Sequence, residues 1–216
     1  MVLYSGFSKK LNVVKAWNEN FKKNIRHQQF GMFLKRRLNM FLKKLKRNSK
    51  ILDLGCGNGE KANYIFRQNF QVVGVDSSKE AIDYAKKNFP EIKFYKRDVL
   101  STKFKAKSFD AIVSIAVFHC FLEKERRRYV KEINRILKSR GLLFQLVLSS
   151  EDETKRSYKE IETKTFMQKS GINFHIFTKD EIKDYFSNFK FLNLDYHKKT
   201  LNKKQIAVYT MTLRKK

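Results

Sequence analysis

The sequence predicts an α/β fold: a mostly parallel sheet with helices on both faces. Three observations carry this reading. From Lys50 onward, short apolar runs alternate with amphipathic segments, the pattern of strands buried on both sides by crossover helices. A glycine-rich turn, "GCGNG", follows the first of those runs and opens the first helix after it. At the C-terminus, "FKFLNLDYH" and "KQIAVYTMTL" succeed one another without an intervening helix and close the sheet as a hairpin.

Each element has its own signal. Residues 11–47 read as helical, because Phe30, Leu34, Leu38, Phe41, Leu42 and Leu45 recur at spacings of three and four with Lys and Arg between them. "KRNSK" ends that segment. "KILDLG" is the first strand, followed by a helix at about 60–69; "FQVVGVD" is the second, followed by a helix from Ser78 to Asn88. "IKFYKRD" and "FDAIVSIAVF" are the third and fourth. The helix "EKERRRYVKEINRILK" precedes the fifth strand, "GLLFQLVL". Residues 150–177 are polar and irregular and read as a lid or insertion. "TKDEIKDYFSNF" is a helix capped by Thr178.

A chain of 216 residues, rich in Leu, Ile, Val and Phe, makes one domain spanning 1–216 with a full core. No apolar run reaches 18 residues, which argues against a membrane span, and "MVLYSGFSKK" has no secretory-signal core. The cytoplasm is the default compartment. Cys56 and Cys120, with only His119 beside the second, have neither the spacing of a zinc site nor the number for a disulfide framework, so no metal site and no disulfide framework is expected. Net charge is +27, and it is uneven. Residues 1–50 hold 14 basic residues and one acid; residues 51–100 hold 8 and 7. The 1–48 segment is thus a basic helical extension. Codon bias toward Lys accounts for part of the charge, but a uniform bias would not leave the second block near neutral. A polyanion partner explains the concentration.

The strongest motif is "ILDLGCGNGE". Gly55, Gly57 and Gly59 allow a sharp turn and close approach of backbone to a ligand. The G-x-G-x-G spacing differs from the G-x-G-x-x-G of a dinucleotide site. Asp53, inside the strand, suits a ligand with a cationic amino group. Asp76 ends the second strand, where an acid can accept both hydroxyls of a ribose. Asp98, after the third strand, can hold an adenine amino group. Each alone is an ordinary cap or turn residue; three acids at successive strand ends mark a ligand site.

This constellation resembles the class I S-adenosylmethionine-dependent methyltransferases, through "LDLGCGNGE", "VVGVDSS", "YKRDVL", "FDAIVSIAVFH" and "LKSRGLLF" over residues 48–150. The resemblance implies a Rossmann-like, seven-stranded sheet with an antiparallel last strand, and S-adenosylmethionine as cofactor. It implies that Asp53 and Gly55–Gly59 line the methionine end, that Asp76 holds the ribose, and that Asp98 and Val99 meet the adenine. Ser77 and Ser114 are counted with the same cofactor-binding set. Ser139 and Arg140 stand where the usual "LKPGG" has Pro and Gly.

Acceptor chemistry is set after the fourth strand, at "SIAVFHC". The Asn/Asp-Pro-Pro-aromatic motif of base amino methylation is missing. "FDAIVSIAVFH" followed by "EKERRRYVKEINRILK" resembles the tRNA wobble-uridine carboxymethyl methyltransferases, which include the methyltransferase domain of the vertebrate AlkB-homologue tRNA modifier. "ENFKKNIRHQQF" and "NFHIFTKDEIKDYF" are similar to the family's outer motifs, with Asn173 where an arginine is usual and Cys120 in place of a second histidine. The resemblance implies esterification of a carboxymethyl group, tRNA as partner, and a small zinc-ribbon activator subunit. A carboxylate needs positioning and cations rather than a base, a task for His119, Arg126 and Arg26. His119 also reads as a packed strand-end histidine, and Arg126–Arg128 as a solvated helix start. Tyr4, Phe7, Trp17, His175 and Phe177 are candidates for base stacking. Two other functions remain open: a small-molecule O- or C-methyltransferase, and a non-catalytic RNA-binding protein of the same fold.

Overall fold

The computed structural model describes residues 4–24, 31–153, 158–201 and 204–216. In chain order the elements are α1 (Tyr4–Asn24), α2 (Met32–Leu42), β1 (Lys50–Leu54), α3 (Glu60–Phe66), β2 (Gln71–Asp76), α4 (Lys79–Asn88), β3 (Lys93–Lys96) and β4 (Phe109–Ile115). A short 3-10 turn, Phe118–Cys120, precedes α5 (Glu123–Ile136) and β5 (Leu137–Leu148). Then come β6 (Lys159–Glu162), β7 (Thr165–Met167), β8 (Asn173–His175), α6 (Lys179–Tyr185), β9 (Phe189–Leu201) and β10 (Lys204–Lys215).

Seven strands form one sheet in the order β3-β2-β1-β4-β5-β10-β9. Neighbours from β3 to β5 are parallel, whereas β10 runs antiparallel to both β5 and β9. The order reverses between β1 and β4, the crevice where such sheets bind ligands at their carboxyl ends. One apolar layer contains Leu38, Phe41 and Leu42 of α2, Ala62 and Ile65 of α3 and Ile82 and Ala85 of α4. The other contains Tyr129, Val130 and Ile133 of α5 and Ile182 of α6. Helices therefore cover both faces, as the alternation predicts.

Local chemistry sets the helix ends. Ser78 accepts a hydrogen bond from the Ala81 N–H and starts α4. Thr178 and Glu181 form a reciprocal capping box at α6. Lys215 on β10 donates to the Asn134 and Leu137 carbonyls at the end of α5, satisfying groups a helix terminus leaves unpaired.

Three expectations change. The helix expected over 11–47 is two helices with Gly31 before the second; Phe30 lies outside the described residues. The fifth strand begins at Leu137, four residues before "GLLFQLVL", with an irregular register opposite Phe109–Ala111. Residues 159–175 are ordered rather than irregular: β6, β7 and β8 form an antiparallel sheet. Its strands are three or four residues long, too short for a period to show in sequence. Cross-sheet contacts hold it, with Phe166 stacked near Phe174 and Thr165 Oγ1 hydrogen-bonded to His175 Nδ1 at 2.8 Å.

Candidate active site

The carboxyl ends of β1, β2 and β4 open into a cleft of about 1580 Å³. Its floor is the glycine turn. Gly55 and Cys56 donate backbone N–H groups to the Val75 carbonyl at 2.7 and 2.9 Å, which folds the turn back over β2. Gly55 sits at φ +78, and a Cβ there would lie 2.2 Å from a Val117 methyl. No other residue fits that position without displacing the β4 end. Asp76 ties the turn down: one carboxylate oxygen accepts the Gly57 N–H and the other the Ser78 N–H, both at 2.9 Å.

Asp53 is fully buried in β1, and neither carboxylate oxygen has a partner in good hydrogen-bond geometry, the Ala62 N–H lying near without closing a bond. Burial pushes its pKa up to about 6, with Lys61 opposing the rise and Asp76 adding to it. A buried carboxylate left unpaired is costly. Its position under a glycine turn fits a cationic amino group, and the acid at the end of β2 fits the nucleoside part of the same ligand.

Gly55, Gly57, Asp76, Ser77, Asp98 and Val99 all line the cleft. Asp53 and Gly59 do not: Asp53 is fully buried in β1, and Gly59, at φ +85, packs beneath, where a Cβ would press on Ala85 and Phe94. Asp98 also accepts the Leu100 N–H at 3.0 Å. The loop carrying it is clamped, because Arg97 stacks between Tyr95 and Phe104 at 4.6 Å from each ring and donates to the Thr102 carbonyl.

The structure places Ser114 elsewhere. It is buried within the sheet and its hydroxyl bonds to Tyr129 Oη, so it is not on the cleft wall. The strand's alternation turns it toward α5, and sequence order alone could not say which face held the ligand.

On the acceptor side, Ala116 takes φ +61, an uncommon left-handed conformation for a non-glycine residue, and lines the cleft. The chain then enters the 3-10 turn, anchored by Phe118. That ring is fully buried, stacked on Phe177 at 5.0 Å and on Tyr129 at 5.2 Å. His119 follows, nearly buried, with Nδ1 unpaired. Desolvation pushes its pKa down to about 4, partly offset by Asp152, so the imidazole is neutral at pH 7. Cys120 lines the cleft, and burial pushes its thiol up to about 12. It is not a nucleophile in this state.

Arg126 takes a fastening position rather than one on the cleft wall. It is 3% exposed; its Nε donates to Tyr185 Oη at 2.9 Å and its Nη1 to the Phe121 carbonyl at 2.6 Å. Successive helical residues turn by about 100°. Arg127 accordingly faces solvent, and Arg128, with Lys124 one turn earlier, reaches the cleft. Arg126, the α5 arginine expected to hold the acceptor, is thus turned away from the cleft, and Arg128, read only as part of a solvated helix start, lines it; only the docking of α6 and β6 decides which face of α5 is inward. Arg26, Tyr4 and Phe7 lie outside the described residues or side chains. His175 and Phe177 are buried in packing, whereas Trp17 lines the cleft.

Among the described residues no group of three or more His, Cys, Asp or Glu is placed to hold a metal ion. No described helix is long and apolar enough to cross a membrane.

Comparison with known proteins agrees with this geometry. A family model described as "Methyltransferase domain" matches residues 52–145. The chain is 35% identical over 118 residues to the tRNA (carboxymethyluridine(34)-5-O)-methyltransferase alkbh8 of Xenopus tropicalis, covering 54% of this chain and 18% of that protein. It is 35% identical over 127 residues to the Probable tRNA methyltransferase 9B of Mus musculus, covering 57% and 27%. It is also 35% identical over 101 residues to the Demethylmenaquinone methyltransferase of Thermotoga maritima, covering 46% and 43%. Less than half the length of each of these relatives is spanned. Among solved structures, a Methanosarcina mazei S-adenosylmethionine-dependent methyltransferase superposes with a TM-score of 0.73 at 21% identity, over 82% of this chain and 96% of its own. The Burkholderia thailandensis 1,6-didemethyltoxoflavin-N1-methyltransferase, solved with S-adenosylhomocysteine, reaches 0.78 at 17% identity over 100% and 92%. Residues 52–145 thus match a methyltransferase domain, and the sheet order, the glycine turn and the acids at the ends of β1 and β2 give the chain the fold of its S-adenosylmethionine-dependent methyltransferase neighbours.

Proposed function

We propose that this methyltransferase acts on tRNA and esterifies a carboxymethyl group on the wobble uridine. The observation that carries the reading is the acceptor wall. Lys124 and Arg128 line it and form no ion pair among the described residues, with a protonated Cys120 alongside; His119, neutral and nearly buried, is not on the wall itself. Glu123, Glu125 and Glu162 also line the cleft, but Glu125 accepts the Leu122 N–H, Glu162 accepts the Glu123 N–H and Glu123 pairs with Arg127, which leaves the two cations for the acceptor. A carboxylate acceptor, with a pKa of about 4, is already ionised at pH 7 and asks for no proton to be removed. The likeness to the alkbh8 enzyme supports the same acceptor.

When bound, S-adenosylmethionine supplies an electrophilic methyl group on a sulfonium. In this reading Asp53 and the Gly55–Gly57 backbone hold its amino-acid end, Asp76 the ribose, and Asp98 and Val99 the adenine. The protein's part in the reaction is to orient the carboxylate, hold it through cations and exclude water. Exposed Lys35, Arg36, Lys43 and Lys44, on and just after α2, supply phosphate contacts. The free edge of β3 is where an activator subunit such as a zinc ribbon would pair, with Lys93 and Lys96 on that strand.

The test is transfer of labelled methyl to bulk tRNA and to tRNA prepared with and without the carboxymethyl group, followed by nucleoside analysis. Label appearing as the wobble-uridine ester supports the proposal. The cleft's apolar lining (Val13, Val14, Phe21, Ile161 and Met167) and the likeness to the quinone enzyme favour a second reading, a small-molecule acceptor. Label on a demethylated quinone, with no tRNA binding, would select it.

A further inference from the structure

The acceptor end of the cleft has a roof. On one side is α1; on the other is the turn between β7 and β8. They meet where Gly171 approaches Ala16, a Cβ built on the glycine lying 3.7 Å from the Ala16 Cβ. Beside that meeting point stand two residues with unspent binding capacity. Trp17, tilted against Phe21 at 5.9 Å between ring centroids, lines the cleft and is the chain's only tryptophan. Asn173 also lines it; the residue is 7% exposed, and its Oδ1 is buried without a hydrogen-bond partner.

A buried amide oxygen left unpaired is unfavourable, and folding alone gives no reason to keep one. An apolar residue at the start of β8 would pack as well. An amide presents an acceptor beside a donor, which matches the imide edge of uracil, an N–H flanked by two carbonyls. An indole beside it offers the planar face on which an unstacked base rests.

Resting on the proposed tRNA reading, we infer that Trp17 and Asn173 form the base-recognition subsite. The wobble uracil leaves the anticodon loop, stacks on Trp17 and is read along its imide edge by Asn173, which directs its 5-substituent toward Lys124 and Arg128. In this arrangement both residues hold the acceptor base, while the residues assigned to the methyl donor lie on the glycine turn and the ends of β2 and β3. Loss of Trp17 or Asn173 is therefore expected to act on acceptor KM, with cofactor affinity as the control.

The experiment uses the full chain and anticodon stem-loop RNAs bearing 5-carboxymethyluridine or cytidine at the wobble position. Emission from the single tryptophan reports stacking directly. The expected result is saturable quenching by the uridine RNA, with at least tenfold weaker binding of the cytidine RNA. Trp17→Ala and Asn173→Leu should each raise acceptor KM at least tenfold, with S-adenosylmethionine affinity within twofold of wild type, and Trp17→Phe should restore most of the loss. If wild type methylates the uridine RNA but its emission does not change, or both variants keep a wild-type KM, the subsite is refuted and the tRNA reading stands. If wild type neither binds nor methylates the RNA, the tRNA reading fails and the subsite with it. Should Trp17→Ala not fold, quenching in wild type and the KM of Asn173→Leu decide.

Discussion

Replacing Asp53 by Asn should make the cofactor-free protein more stable and the cofactor-bound protein harder to form. Asp53 is fully buried and its carboxylate has no partner in good hydrogen-bond geometry. Its pKa rises from an ordinary 3.8 to about 6, chiefly through desolvation. Between those values the unfolded chain has released its proton while the folded chain retains it, so stability falls as pH rises through that window. Below about pH 4 both states are protonated and the penalty vanishes; above about pH 6 it is fully present. The rise corresponds to about 3 kcal/mol. Asn removes the charge but keeps a polar group in the same place, so the net gain at pH 7.5 should be about 1–3 kcal/mol. For a chain of this length that is roughly 2–4 °C in Tm for each kcal/mol. Denaturant unfolding of both proteins at pH 7.5 and pH 4 measures it, with calorimetry of S-adenosylmethionine binding alongside. The variant should be more stable at pH 7.5 and equal at pH 4, and should bind the cofactor at least tenfold more weakly. Equal stability at both pH values, with undiminished cofactor affinity, would refute the view that this carboxylate is held in strain for a cationic ligand.

Asp76→Ala should cost about 2–4 kcal/mol of cofactor affinity, because it removes charge-assisted hydrogen bonds and also frees the Gly57 N–H that tethers the turn; calorimetry showing wild-type affinity would overturn the ribose assignment. With His119 neutral down to about pH 4, kcat at saturating S-adenosylmethionine should be flat between pH 7 and 9, a range that clears the titration of Asp53 near 6, and an inflection within it would show the imidazole titrating during turnover. His119→Ala should retain cofactor affinity and lower turnover; unchanged turnover on tRNA would leave the residue a packing role only. Neutralising Lys35, Arg36, Lys43 and Lys44 together should flatten the salt dependence of tRNA binding, each lost phosphate contact reducing the log–log slope by about 0.7–0.9; an unchanged slope would place the tRNA on another face.

Local chemistry was legible in the sequence. The strand–helix alternation, the glycine turn, the Ser78 and Thr178 caps and the closing hairpin depend on residues within a few positions of one another, so spacing specifies them. The acids at the ends of β1 and β2 could be expected to share one rim because a parallel sheet brings its carboxyl ends together whatever lies between. Facing, in contrast, was decided by tertiary packing. Which of three consecutive arginines reaches the cleft depends on Tyr185 and Phe121 capturing Arg126. Ser114 lies on the face of β4 that α5 covers, where Tyr129, fifteen residues later, meets its hydroxyl, and only the packing of α5 decides which face that is. The β6–β8 sheet, and with it the turn that brings Gly171 against Ala16, exists through contacts between strands too short to carry a period. Even the unpaired state of Asp53 is a tertiary fact: the sequence supplies the carboxylate, and only the closed packing around β1 removes its water.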